Sequence, residues 1–437
     1  MSDTYYGVIS RLLNREERRV PTEEEQTPLV LEPLRSANKA FLEEFLQHHS
    51  TQIKMDLARH GAVLLRGFGV ESASDFERVT LSIRGMSGID ELLLSEPGRS
   101  VVPGSRYVFY TNTLVKTGGT LNLATFHTEN YYIPEVPQYV AFFCELPGKL
   151  GGETGLLNDV KLYAGLPDDL KVKLEERACL TAFFPLDDMV TRYGVSADLI
   201  GKFCKDLDLS VIEFEGERHI SIFKPSVIEH PLTHERALQI HFGALPPELN
   251  KPMARAFLPD YTGTRWLLHR LSWKYPWFGS GSTHHVQQLC RLAAKKGQGS
   301  CPRMPDAHTP EARTVKSLFT QEEVEILASC IRRSYSSFPW RRGDILIVDN
   351  LKTAHSGMAG LGKRELKVMM CNPLILSAPD TSPGLLAISN TLESPGLGHA
   401  LDHVQQRGSY LTGRVPERMF HSSSMHVRCK DDHNIAL

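Results

Sequence analysis

The stretch FHTENYYIPEVPQY, Phe126 to Tyr139, constrains the fold more than any other part of the chain. His127 and Glu129 stand two positions apart, and an extended backbone turns positions i and i+2 to the same face. Two ligand-type side chains on one strand-like segment suit a single metal ion, but they need a third donor from elsewhere. The chain offers His355, far downstream and just past the run GDILIVDN. A fold that unites these residues has to pair β segments remote in sequence.

The texture of the chain agrees with that demand. From Tyr107 to about Asp159, short apolar, β-branched and aromatic runs such as YVFYTNT and QYVAFFCEL alternate with Gly and Pro, as in antiparallel β structure. WRRGDILIVDN and KRELKVMMCNPLIL return to that pattern near the far end. Between them, residues 161–335 read as a helical insertion that includes TQEEVEILASCIRR, where Thr320 and Glu323 have capping-box spacing. Upstream, the row Phe41, Phe45, Ile53 and Leu57, ended by Gly61, predicts one helix over KAFLEEFLQHHSTQIKMDLARHG. AVLLRGF then reads as a strand, and Ser74 with Glu77 as the start of a second helix. The expected organisation is a charged, Pro-containing lead-in over 1–37, a domain over 38–376, and an irregular extension over 377–437 rich in Ser, Gly, Pro and His. No internal repeat is visible.

Composition removes several function classes. With 437 residues and 41% hydrophobic content the chain can bury a sizeable core, and 49 basic against 51 acidic residues leave no charge excess for nucleic acid or an acidic membrane. The eight cysteines contain no CxxC pair, which fits free thiols in a reducing compartment. The start MSDTYYGVISRLLNREERR has no long apolar core, and no run approaches a membrane span. The expectation is a soluble cytoplasmic protein with a small-molecule partner, no nucleic acid and no membrane.

An HxE triplet alone is weak evidence, because chance supplies roughly two HxD or HxE triplets in a chain of this make-up. Context strengthens it: two histidines and one carboxylate on a β scaffold form a facial triad that leaves positions open on a ferrous ion. Arg364, on the strand-like run after His355, offers a planar fork for the distal end of a dicarboxylate. In PGKLGGETGLLND the paired Gly151 and Gly152 make a tight turn that presents the hydroxyl of Thr154 to the same carboxylate. Each of these residues alone has an ordinary alternative, a core histidine, a surface arginine or a turn.

Four segments, LARHGAVLLRGF, FHTENYYIPEVPQYVAFFCELPGKLGGETGLLND, IEHPLTHE and GDILIVDNLKTAHSGMAGLGKRELKV, resemble the successive motifs of the TauD/TfdA family of Fe(II)/2-oxoglutarate-dependent dioxygenases, in the family's order and spacing. The resemblance covers roughly residues 38 to 375. It implies a mainly β fold with flanking helices, a distorted double-stranded β-helix or jelly roll. It also implies that His127, Glu129 and His355 ligate Fe(II), that Thr154 and Arg364 hold 2-oxoglutarate, and that O2 is the second co-substrate. Glu129 stands where the family more often has Asp, as in its clavaminate synthase-like and SyrP-like branches, which act on amino acids or amino-acid units of natural products. AHSGMAG replaces the commoner AHGR, and the extension after Ser377 has no counterpart in the family pattern.

The function implied is hydroxylation, or desaturation or cyclisation, of an amino acid or a carrier-bound aminoacyl group. A carboxylate ligand argues against halogenation, which needs that coordination position for halide. Asn112, Tyr131, Tyr132 and Arg106 are the candidate substrate contacts, each with strand packing or a surface role as its alternative. Two rival readings use the same triad: a His2Glu zinc hydrolase, which lacks an HExxH helix and leaves Arg364 without a task, and a non-catalytic metal-binding β domain. Elsewhere, His284 and His285 read as loop, His230 and His234 as flanking the turn-like HPLT, and Trp266, Trp273, Trp277 and Trp340 as core.

Overall fold

The structure is a computed structural model that describes residues 5–18, 22–35, 38–89, 101–111, 126–131, 135–175, 178–187, 190, 196–206, 210–214, 216–239, 267, 320–358, 360–361, 363–377 and 385–388. Met1–Glu393 make one compact unit, and Ser394–Leu437, a second, lies outside the described residues.

The apolar run ILIV becomes the strand Ile345–Asp349, buried at every position because both of its neighbours and both of its faces are covered. It pairs with Ala62–Leu65 on one side and Glu135–Leu146 on the other, all antiparallel. These strands belong to a ten-stranded sheet that continues through Glu365–Ser377 to Leu385–Ile388, Val227–Glu229 and Arg236–Leu238. A second, three-stranded sheet has Thr154–Asn158 at its centre, between Tyr335–Phe338 and Thr353–Gly357.

The period-2 alternation decides which side chains go where. On the outer face of the large sheet, Val63, Phe143, Ile347 and Met369 pack against the helices Lys39–His48, Ser50–His60 and Ala73–Leu81. Phe76 stacks on Phe143 there at 5.6 Å between centroids, and each such buried ring contributes about 2–3 kcal/mol. On the outer face of the small sheet, Leu157, Ala354 and Tyr335 pack against the helices Asp159–Ala164, Asp168–Glu175 and Gln321–Ser334. The inner faces meet where the ring of Phe142 lies edge-on to His355, 5.0 Å between centroids. This mainly β, two-sheet architecture with flanking helices is the expected jelly roll. Among the described residues its sheets stay open at their ends.

Several expectations need correction. The lead-in is not loose: Val8–Leu12 and Leu29–Pro33 form strands that extend the large sheet, and Val30 and Leu31 are fully buried. Charged residues there are absorbed by pairs such as Arg11 with Glu17 and Glu32, which a reading based on charge density misses. The helix expected over 39–61 is two helices, broken at His49, where the Ser50 hydroxyl donates to the carbonyls of Leu46 and Gln47. The next helix is capped by Ser72, not Ser74, and Glu77 instead accepts the backbone N–H groups of Arg106 and Tyr107. Thr320 and Glu323 form the capping box as read.

The insertion 161–335 is mixed rather than helical in its described part. It contains the antiparallel sheet of Ala178–Pro185, Glu217–Pro225 and Ser210–Phe214 as well as a hairpin at residues 227–238. Within the extension, Leu385–Ile388 is a strand paired to Val227–Glu229 and Glu365–Ser377. Asn112, Tyr132, Trp266, Trp273, Trp277, His284 and His285 lie outside the described residues. No helix among the described residues is long and apolar enough to cross a membrane.

Candidate active site

His355 sits in the middle of Thr353–Gly357, paired with Leu156, and the alternation that sends Ala354 outward sends His355 inward. The segment with His127 lies along the free edge of that strand. His127 N–H donates to the His355 carbonyl at 3.1 Å, and His355 N–H donates back to His127 at 3.0 Å. This closed backbone pair brings the two rings to 4.5 Å between centroids. Glu129, only 3% exposed, places Oε2 3.3 Å from His355 Nε2 and 3.7 Å from His127 Nε2. One ligand atom from each of the three residues lies within 4.8 Å of the others. Two imidazoles and a buried carboxylate turned to one point are a donor set suited to a divalent transition metal.

The loop carrying Glu129 is held by amides. Asn350, fully buried, accepts the Glu129 N–H at 2.8 Å and donates to the Glu129 and Pro137 carbonyls at 3.0 and 2.8 Å. Gln239 accepts the Thr128 hydroxyl at 2.8 Å and donates to the Leu351 carbonyl at 2.8 Å. The motif IEHPLTHE supplies a third brace. His230 and Asp349 are both fully buried, with Nε2 2.9 Å from Oδ2. The backbone N–H groups of Leu232 and Thr233 point at His230 Nδ1, so Nδ1 accepts and Nε2–H donates to Asp349. The turn at 349–352 thus holds the ligand loop and the hairpin together.

The co-substrate candidates also converge. Gly151 and Gly152 have φ of +71° and +72°, so the tight turn before Thr154 exists. Arg364 Nη1 donates to the Gly152 carbonyl at 2.8 Å, and a Cβ on Gly152 would come within 3.2 Å of Arg364 Cδ. Burial holds the Arg364 guanidinium below its ordinary value. Among the described residues no carboxylate pairs with it. A half-buried guanidinium without an acidic partner is suited to an incoming anion. Thr154 is 5% exposed, and its Oγ1 accepts the Trp340 indole N–H at 2.9 Å.

The substrate candidates are more scattered. Tyr131 is 3% exposed and gives its hydroxyl to the Pro225 carbonyl at 2.8 Å. Arg106 is exposed, with its guanidinium 5.1 Å from the ring centre of its neighbour Tyr107. The reading from sequence missed Asn350 and Gln239, and it named His230 without giving it a role. His230 carried a signal through its place in IEHPLTHE, and Asn350 carried one as an amide directly after an apolar run, where a buried polar group needs partners.

Residues 30–263 match the family described as "Taurine catabolism dioxygenase TauD, TfdA family". The dapdiamide synthesis protein DdaC of Enterobacter agglomerans is 22% identical over 353 residues, 79% of this chain and 92% of the relative. A clavaminate synthase-like protein of Arabidopsis thaliana is 34% identical over 130 residues, 28% of this chain and 36% of the relative. The solved structure of PvcB, described as an Fe, alpha-ketoglutarate dependent oxygenase from an isonitrile synthetic pathway, is 15% identical with a TM-score of 0.42 and covers 85% of this chain and 93% of PvcB.

Proposed function

The chain belongs to the TauD/TfdA family of Fe(II)/2-oxoglutarate-dependent dioxygenases, and from that premise we propose that it oxidises an amino acid or an amino-acid-derived intermediate at the site built around His127, Glu129 and His355. In this reading those three residues ligate Fe(II), while Thr154 and Arg364 hold the distal carboxylate of 2-oxoglutarate. The observation that carries it is the convergence of the three donor atoms within 4.8 Å.

Bound iron, with 2-oxoglutarate and O2, supplies the oxidising power, and 2-oxoglutarate leaves as succinate and CO2. The protein's own residues bind, orient and exclude. His127 and His355 are joined to each other through their backbones, which fixes the separation of the two positions from which the rings extend. Asn350 fixes the backbone of Glu129 and keeps its carboxylate between them. Phe142, Val140, Val368 and Met370 give the inner face of the large sheet an apolar surface that keeps water from the reacting centre. Arg364 supplies a charged fork and Thr154 a hydroxyl for the far end of the co-substrate.

Hydroxylation is the default outcome, with desaturation or cyclisation open to the same chemistry. The relation to DdaC, named for dapdiamide synthesis, supports a substrate of amino-acid type. A carrier-bound aminoacyl group is the alternative form of that substrate. Asn112 is the substrate contact to test first, since Tyr131 and Arg106 have the partners described above.

The test is an anaerobic titration with Fe(II) and then 2-oxoglutarate, followed by the visible charge-transfer band of the chelated keto acid. The band is expected in the wild type, absent in His127→Ala, and shifted to much higher 2-oxoglutarate in Arg364→Ala. A wild type without the band returns the zinc and non-catalytic readings to the front.

A further inference from the structure

We propose that Trp340 is a positioning residue for the co-substrate: its indole N–H fixes the Thr154 hydroxyl as a donor toward the carboxylate that Arg364 receives. The inference rests on the reading of Thr154 and Arg364 given above and adds a residue that touches neither metal nor co-substrate.

The argument is one of hydrogen-bond inventory. A threonine hydroxyl has one proton and two lone pairs, so left alone it can meet a ligand either way round. An indole N–H can only donate. Trp340 Nε1 lies 2.9 Å from Thr154 Oγ1, and the two residues are 6% and 5% exposed. The indole therefore occupies a lone pair, and the hydroxyl proton has to point away from it. Among the described residues that proton meets no protein acceptor, although buried hydroxyl protons nearly always find one. An anionic oxygen is the acceptor such a proton suits, whereas a lone pair turned to the same anion would repel it.

The surrounding packing holds the indole in this role. Trp340 follows the strand Tyr335–Phe338, whose Phe338 is the register partner of Thr154. Its ring packs on Phe338 at 5.0 Å between centroids and a 60° tilt. Arg364 is tied to Gly152, two residues before Thr154, so both donors are fixed to the same short segment.

A double-variant cycle on the full chain, loaded anaerobically with Fe(II) and titrated with 2-oxoglutarate, tests this. Trp340→Phe keeps an aromatic ring against Phe338 and removes the N–H. It should weaken 2-oxoglutarate binding roughly 5- to 10-fold and leave Fe(II) affinity unchanged. Thr154→Ala should weaken binding at least as much, and the double variant should be no weaker than Thr154→Ala alone, because the indole acts only through the hydroxyl. Effects that multiply in the double variant, or an unchanged affinity in Trp340→Phe, overturn the proposal. No effect of Thr154→Ala is a different failure, that of the co-substrate reading itself.

A second measurement leaves Trp340 intact and covers the case in which its variant does not fold. In 15N-indole spectra of the Zn(II)-loaded chain, the resonance displaced by Thr154→Val should also move when 2-oxoglutarate is added to the wild type. A resonance that stays in place overturns the proposal.

Discussion

The two ends of the strand Ile345–Asp349 both carry fully buried polar groups, yet they do different work. At the entry end, Asp344 takes a side-on pair from Arg66, Nε to Oδ1 at 3.1 Å and Nη2 to Oδ2 at 2.7 Å, while Arg66 Nη1 reaches Glu17 at 2.9 Å. At the exit end, Asp349 receives His230, and Asn350 receives the backbone of Glu129. The first end joins opposite charges from segments that carry no proposed metal ligand, and it ties the N-terminal strands to the core. The second end uses directional bonds from an imidazole and an amide and so sets the orientation of a ligand loop. Charge pairing at one end holds the fold, and amide and imidazole geometry at the other shapes the site.

Removing one member of the charge cluster should have the largest effect. Arg66→Ala leaves Asp344 buried without its partner, with an expected loss of about 3–5 kcal/mol in urea unfolding. Fe(II) affinity of the protein that remains folded should not change, and a large drop there would erase the contrast between the two ends. Asn350→Ala is the opposite case. It should lower Fe(II) affinity about 10- to 100-fold, read by anaerobic metal titration, with a smaller loss of stability than Arg66→Ala. A variant that only melts earlier and binds metal normally would make Asn350 a packing residue.

A pH profile sharpens the charge-pairing end. Burial alone would raise the Glu17 carboxyl, but hydrogen bonds from Arg11 and from the Asn14 N–H, with Arg66 nearby, outweigh it and hold it at about 2 against an ordinary 4.5. A depressed carboxylate contributes stability that is fully present above its unfolded value and lost as pH falls through the folded one. The stability of the wild type should therefore fall between pH 4.5 and about 2, and Glu17→Gln should flatten chemical denaturation midpoints across that window. The smallest effect is expected far from both ends: Thr320→Ala removes a cap from Gln321–Ser334 and should cost about 1 kcal/mol, with metal binding unaltered.

What could be read from the residues followed short-range physics. The paired glycines before Thr154, the capping box at Thr320 and the buried run ILIV are set by the backbone needs of a few neighbours, and each stands in the structure as expected. His127 and Glu129 were read as two positions of one extended strand, but only His127 is extended, in a bridge to His355; Glu129 lies in the turn that follows, closed by the Tyr131 N–H to the Thr128 carbonyl. The lead-in was misread because its apolar positions are few and its charges many, and only partners such as Glu17 and Glu32 show how those charges are accommodated. Local spacing pointed to Ser74 with Glu77 as the cap, but Ser72 caps the helix and Glu77 is engaged by the N–H groups of residues 106 and 107, a contact from outside the local stretch.

The sequence by itself determined the donor types, the β texture and the family, because these reside in residue identity and local spacing. Tertiary structure alone decided that His127 and His355 share a backbone pair, that Asn350 and Gln239 hold the ligand loop, and that Trp340 faces Thr154. Each of these contacts joins residues far apart in the chain. The hydrogen bonds that fix them depend on distance and direction, which exist only once the sheets have paired.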